Sequence, residues 1–137
     1  MSYRDIAKAQ IKVDEGVRFK VYRDSLGIET VGVGRNIRDK GLSMQEVDLL
    51  LDNDLTDAER DARAIFPTFD KLSDIRKAVL LNMSFNMGRE RLSKFKKLRA
   101  AVQDEDWAEA ARQMILSTWA TQVGARATRL AKQMEVS

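Results

Sequence analysis

A chain of 137 residues, 44% of them hydrophobic, is long enough for one compact domain that can divide into two lobes. The charged fraction of 33% mixes both signs and leaves a net charge of +3, which argues against disorder and against a strongly polyanionic partner as the default. With no cysteine and no histidine, disulfide frameworks, thiol nucleophiles, histidine bases and most zinc sites are excluded. Acid–base chemistry near neutral pH then falls to carboxylates, lysine or tyrosine.

Residues 3–14 read as a short amphipathic helix, with Ile6, Ala9, Gln10 and Val13 at helical spacing. Gly16 is placed to close it in a positive-φ conformation, leaving Glu15 in the last turn. From Val17 to Arg23 the residues alternate, Val17, Phe19 and Val21 against Arg18, Lys20 and Tyr22, as in a half-buried strand. Asp24-Ser25-Leu26-Gly27 has turn chemistry, and Ile28 to Val33 returns as a second strand. Asp24 and Thr30 thus fall on opposite arms of one hairpin. Gly32 and Gly34 imply a close approach of backbone or ligand.

Asn36 to Leu42 is a loop or a brief third strand. Ser43 and Glu46 form a capping box that opens a long helix, with Val47, Leu50, Leu51, Leu55, Ala58, Ala62 and Ile65 in one stripe. It is expected to run from Met44 to about Phe66 and to stop before Pro67. Ser73 caps a largely buried helix that ends at Gly88 and carries Ile75, Val79, Met83, Phe85 and Met87. Further helices are expected over 92–102, 107–116 and 124–134, with a turn around 117–121. Strands in the first third and helices thereafter make an α+β fold. No run of about 20 apolar residues exists to span a membrane, and the first 12 residues lack a signal-peptide core.

Charge is uneven along the chain. Up to Gly88 there are 14 Lys/Arg against 15 Asp/Glu, and from Arg89 onward 10 against 6. A basic C-terminal part can favour an anionic partner, although for so small an imbalance an ordinary solvated surface is the better explanation. The basic residues are not interleaved with aromatics as in single-strand nucleic-acid platforms, and no nucleic-acid partner is expected.

Glu15, Asp24 and Thr30 are the residues with a chemical reading. Glycosidic cleavage needs an acid to protonate the leaving oxygen and a second carboxylate to activate water, attack, or stabilise the oxocarbenium ion. Glu15, beside Val13 and Val17, fits an acid desolvated by apolar neighbours. Asp24 sits in a polar turn and fits the ionised partner, and Thr30 fits a group that holds water. The same Asp24 also reads as an Asx-turn residue, and Asp14 as a surface ion-pair partner.

The run Asp14-Glu15-Gly16-x-Arg18-x-Lys20-x-Tyr22-x-Asp24-x-x-Gly27, then Thr30-x-Gly32-x-Gly34, resembles the active-site region of the phage-type lysozymes, the endolysin muramidases of tailed phages. Asn82-Met83-Ser84-Phe85-Asn86-Met87-Gly88 is similar to that family's core helix. So are Trp107-Ala108-Glu109-Ala110-Ala111 and Trp119 with Arg126-x-x-Arg129 to later segments. The resemblance implies a lysozyme-like fold. A β-hairpin lobe spans about 13–42, a connecting helix about 43–66, and a helical lobe about 67–137 with helix 1–14 packing on it, the cleft lying between the lobes.

The resemblance further implies that Glu15 is the proton donor, Asp24 the second carboxylate and Thr30 the water-positioning group, with hydrolysis by inversion. Phe85 and Asn86 fall at substrate-binding positions near the cleft floor. The residues themselves also allow Phe85 as core and Asn86 as a cap. Trp119 is a supporting residue near the acid, and Arg126 matches an arginine that pairs with it. Such an arginine favours the ionised acid, so either desolvation compensates or Arg126 serves orientation.

Two departures stand out. Arg35 follows Gly34 where many relatives carry histidine, and the segment between Asn36 and Ser43 is shorter than in the longest relatives. The implied substrate is the peptidoglycan glycan strand, cut between N-acetylmuramic acid and N-acetylglucosamine, with no cofactor and no metal. The resemblance also implies a monomer without membrane insertion. It would accumulate in the host cytoplasm and reach the wall by holin-assisted release. A lytic transglycosylase, which needs only the acid, and a non-catalytic wall-binding module are the competing readings.

Overall fold

The computed structural model describes residues 1–137, and its internal packing divides them into two compact units, Met1–Leu49 and Leu50–Ser137. The first unit opens with α1, Tyr3–Glu15. Ser2 starts it with a reciprocal cap: its hydroxyl accepts the Asp5 N–H at 3.2 Å, and the Asp5 carboxylate accepts the Ser2 N–H at 3.2 Å. Gly16 ends it at φ +76°, its N–H returning to the Lys12 carbonyl. Glu15 is therefore the final helical residue, held at the point where the chain turns into the sheet.

Strands β1 (Arg18–Arg23), β2 (Glu29–Gly32) and β3 (Arg35–Asn36) form an antiparallel sheet in sequence order. The register pairs Tyr22 with Thr30 and Arg23 with Glu29, while Arg18 pairs with Gly32, so β1 bulges between Arg18 and Tyr22. The expected alternation is not seen in the burial, residues 17–21 being exposed on both faces. Val17, Phe19 and Val21 are all exposed, Phe19 at 92%, and β1 is not half-buried on that face. Thr30 is instead the buried residue of the sheet.

The segment expected as a loop or third strand is both strand and helix. β3 runs directly into α2, Ile37–Lys40, because Asn36 caps it by accepting the Asp39 N–H at 3.0 Å and Gly41 closes it. The long helix α3, Met44–Ile65, opens on the expected box. Ser43 N–H donates to Glu46 at 2.8 Å, and Glu46 N–H donates to the Ser43 hydroxyl at 3.2 Å. Its 22 residues give roughly 33 Å at 1.5 Å each. Of its apolar stripe only the C-terminal part is buried, at Ala58, Ala62 and Ile65. Val47, Leu50 and Leu51 are exposed.

The second unit holds the core. A short 3-10 turn at Phe69–Lys71 leads into α4, Asp74–Ser93, capped by Ser73. Val79, Leu80, Met83, Met87 and Leu92 of α4 are buried, whereas Ile75 and Phe85 are exposed, outside the expected core face. At Gly88 the backbone takes φ +81°, ψ 166°, and the helix kinks there. The helix thus breaks where expected, but helical turns resume at once and reach Ser93. The expected helix over 92–102 is therefore split, Leu92 and Ser93 ending α4 and residues 96–102 falling in α5, Lys96–Gln103. α6 spans Trp107–Leu116, and the expected turn after it is a short helix, α7, Thr118–Val123, capped by the Ser117 hydroxyl. α8 is Ala125–Val136.

Ala110, Met114, Trp119, Ala127, Leu130, Ala131 and Met134 from α6–α8 close on α4 and α5 in one apolar cluster. Small side chains on α6 and α8 let these helices pack most closely. Polar pins tie the ends. The Ser84 hydroxyl donates to the Ala58 carbonyl at 2.8 Å within the core. Arg76 donates to the Met134 carbonyl at 2.7 Å and to the Glu135 carbonyl, with its guanidinium stacked 3.9 Å over the Trp107 ring. The molecule is thus a helical protein with one small antiparallel sheet, as the α+β expectation holds. No helix is long and apolar enough to cross a membrane.

Candidate active site

Three expected site residues lie in the first unit and are placed by its turns. Asp24 begins the β1–β2 turn. Its Oδ1 accepts the backbone N–H groups of Leu26 (2.8 Å) and Ile28 (2.9 Å), while its own backbone pairs with Ile28 and Gly27. Asp24 is therefore an Asx-turn residue in fact, with one oxygen engaged and Oδ2 left for another partner. The side chain is half-buried.

Thr30 stands two residues beyond Ile28 and is 3% exposed. Its hydroxyl donates to the Ile28 carbonyl at 2.8 Å. With the donor engaged, the oxygen offers only lone pairs to a visitor. Ile28 is thus the common fixture: its N–H holds the Asp24 carboxylate and its carbonyl holds the Thr30 hydroxyl. Arg23 and Glu29 face each other beside this pair at 3.9 Å.

Glu15 is exposed, and so are Val13 (83%) and Val17 (47%). The apolar screen expected from those two valines is not formed. What does meet the carboxylate is backbone. A Cβ placed on Gly34 would lie 3.0 Å from Glu15 Oε2 and 3.4 Å from its Cδ. Gly34 has φ +68°, a conformation that favours glycine, and a side chain there would also crowd the Glu15 carboxylate. The glycines read from sequence as a sign of close approach have, at Gly34, an identified partner.

The other four expected residues lie in the second unit. Trp119 is buried and its indole N–H donates to Asn86 Oδ1 at 2.8 Å. Asn86 is therefore neither a cap nor free, since it anchors the tryptophan. Arg126 donates to Asn82 Oδ1 through Nε (3.0 Å) and Nη2 (2.6 Å). The pairs Asn86–Trp119 and Asn82–Arg126 fall one helical turn apart on α4. Phe85, between them in sequence, is 45% exposed and is not a core residue. A pocket of about 590 Å³ opens beside Trp119, with Met87 and Phe95 as apolar lining and Arg91, Lys94 and Lys97 as cations.

Sequence reasoning missed two participants. Asn82 appeared only as part of a motif, although a polar residue one turn before Asn86 on a core helix is itself a signal of a partnered face. Arg35 stands out in the sequence only as a departure from the family pattern. It donates to the Gly41 carbonyl at 3.1 Å and pairs with Glu46 at 2.8 and 2.5 Å.

An α+β protein of this element order, one small antiparallel sheet followed by helices, is consistent with a lysozyme-like fold. The sequence profile described as phage lysozyme matches residues 12–135, which include all seven expected site residues. The chain belongs to the phage lysozyme family. It is 29% identical to "Probable T4-type lysozyme 2" of Dictyostelium discoideum, across 93% of this chain and 92% of that protein. "Probable T4-type lysozyme 1" of the same organism is 26% identical over the same shares. The "Pre-baseplate central spike protein Gp5" of Enterobacteria phage T4 is 28% identical across 88% of this chain, which corresponds to 26% of that larger protein.

Proposed function

We propose that this protein is an endolysin that hydrolyses the β-1,4 bond between N-acetylmuramic acid and N-acetylglucosamine in bacterial peptidoglycan. Membership of the phage lysozyme family supports muramidase-type chemistry. The observation that carries the finer reading is the division of labour on Ile28, which fixes a carboxylate with one free oxygen beside a hydroxyl with only lone pairs to offer.

In this reading Glu15 protonates the departing glycosidic oxygen. A water donates one hydrogen to the Thr30 hydroxyl, which cannot donate in return while it serves the Ile28 carbonyl. Asp24 Oδ2 accepts the water's second hydrogen and takes it as the new bond forms. The acid and the water then act on opposite faces of the sugar, which is the inverting arrangement. Phe85 and Asn86 contribute to the saccharide surface. Trp119 and Arg126 act indirectly, by fixing Asn86 and Asn82.

The protein works as a monomer. It accumulates in the host cytoplasm, passes through a holin lesion and acts on the wall from the periplasm to lyse the host. The test is mass spectrometry of fragments released from purified Gram-negative peptidoglycan. Ordinary reducing muramic acid ends are the expected product. Anhydro-muramic ends would replace hydrolysis by transglycosylation and leave Asp24 without a role, and wall binding without release would reduce the protein to a binding module.

A further inference from the structure

We infer that Arg35 is a positioning residue for Glu15, acting through the backbone of Gly34, with Glu46 as its anchor. This rests on the reading of Glu15 as the proton donor. The Gly34 backbone borders the Glu15 carboxylate as a wall on one side, since a methyl group added at Gly34 would stand 3.0 Å from Oε2. A glutamate at an exposed helix end has many rotamers. A wall on one side removes those that point the carboxylate away from its working direction.

The wall is held from its C-terminal side. Arg35 follows Gly34 directly and its backbone pairs with Val31 of β2, next to Thr30. The Arg35 guanidinium spans to two other elements, the Gly41 carbonyl that closes α2 and the Glu46 carboxylate in the first turn of α3. Glu46 is fixed in turn, since its Oε1 also accepts the Ser43 N–H. One side chain thus ties β3, α2 and α3 together at the residue that adjoins the wall. The backbone N–H of Ser43 and the Arg35 guanidinium hold the Glu46 carboxyl at about 2. The pair therefore stays charged throughout neutral and mildly acidic conditions.

The experiment uses the full chain carrying Arg35→Met, Arg35→Lys, Glu46→Gln and the Arg35→Met/Glu46→Gln double substitution. Misplacing a reacting group by about 1 Å can cost up to about 100-fold in rate. A loosened wall is expected to lower kcat about tenfold with KM unchanged, Arg35→Lys recovering part of the loss and the double substitution costing no more than either single one. Glu46→Gln keeps the test alive should Arg35→Met not fold.

A second readout separates the clamp from the chemistry. In protein with 13C-labelled glutamate carboxyls, Arg35→Met or Glu46→Gln should move the Glu15 signal together with the Gly34 amide, leaving Glu135 in place. Unmoved Glu15 and Gly34 signals overturn the clamp. So does a lowered melting temperature with wild-type kcat, which is what a merely structural ion pair would give. Moved signals in a protein whose Glu15→Gln variant cuts as fast as wild type would keep the clamp and discard Glu15 as the acid.

Discussion

At the scale of single residues, the candidate site depends on atoms already committed to the backbone. Glu15 lies close to Gly34, and in the proposed reading its work is proton transfer. Glu15→Gln keeps the shape and removes the proton, so turnover should fall by about 10²–10⁴, the usual worth of a general acid. Release of reducing sugar from peptidoglycan by the folded variant checks this. Asp24 has two functions that substitution can separate. Asn retains an acceptor for the Leu26 and Ile28 N–H groups, so Asp24→Asn should preserve the turn while turnover falls severely. Asp24→Ala should also destabilise the fold by about 1 kcal/mol, the usual net worth of a hydrogen bond whose donor water can reach. Equal melting temperatures for the two variants would show that the Asx turn contributes nothing to stability.

At the scale of elements, caps and breaks decide where the helices begin and stop. Gly88 lies at φ +81°, ψ 166°, a region essentially closed to other residues, while the space around its missing side chain is open. Gly88→Ala should therefore cost about 1–3 kcal/mol through backbone strain alone, visible as a lower midpoint in urea with an unchanged slope. Helix ends also set the acid stability. Glu46, capped by Ser43 and paired with Arg35, titrates at about 2. So does Glu109 on α6, held mainly by Arg112 and then by Gln113. Both values lie below the ordinary 4.5, so each carboxylate stabilises the folded state fully above pH 4.5. That contribution is lost as the pH falls toward 2. Thermal melts between these limits should show a falling midpoint, and the fall should be shallower in a Glu46→Gln/Glu109→Gln variant whose starting midpoint is lower.

At the scale of the whole molecule, apolar burial is concentrated. Every buried hydrophobic residue falls between Ala58 and Met134, in the second unit, whereas the first unit is held by caps, turns and a three-stranded sheet. Local opening requires less energy where fewer apolar contacts are lost. Amide exchange should accordingly be slowest in α4, α6 and α8 and faster by orders of magnitude in β1–β3. Equal protection in both units would contradict the division. The residues expected to do chemistry thus reside on the less deeply packed part, while Trp119 and Arg126 are fixed on the more deeply packed one.

Local chemistry made much of this legible from sequence. Gly16, Ser43 with Glu46, Pro67 and Ser73 marked helix limits correctly because caps and breaks depend on neighbouring residues alone, while Gly88, expected as an end, is a kink within α4. The hairpin was legible because Asp24 and Gly27 specify a turn. The family was readable from spaced motifs, and so were the positions expected to carry chemistry. Tertiary structure decided the rest. Val17, Phe19 and Val21 stay exposed although they alternate, since burial of a strand face depends on what packs against it. Burial of only the latter part of the α3 stripe, and exposure of Phe85, depended on what each helix met. Gly34 against Glu15, Arg35 on Glu46, Asn86 on Trp119 and Asn82 on Arg126 join residues 11 to 44 positions apart. Sequence specifies the local geometry that makes each element, but a contact between distant residues exists only after packing has selected one arrangement of the chain.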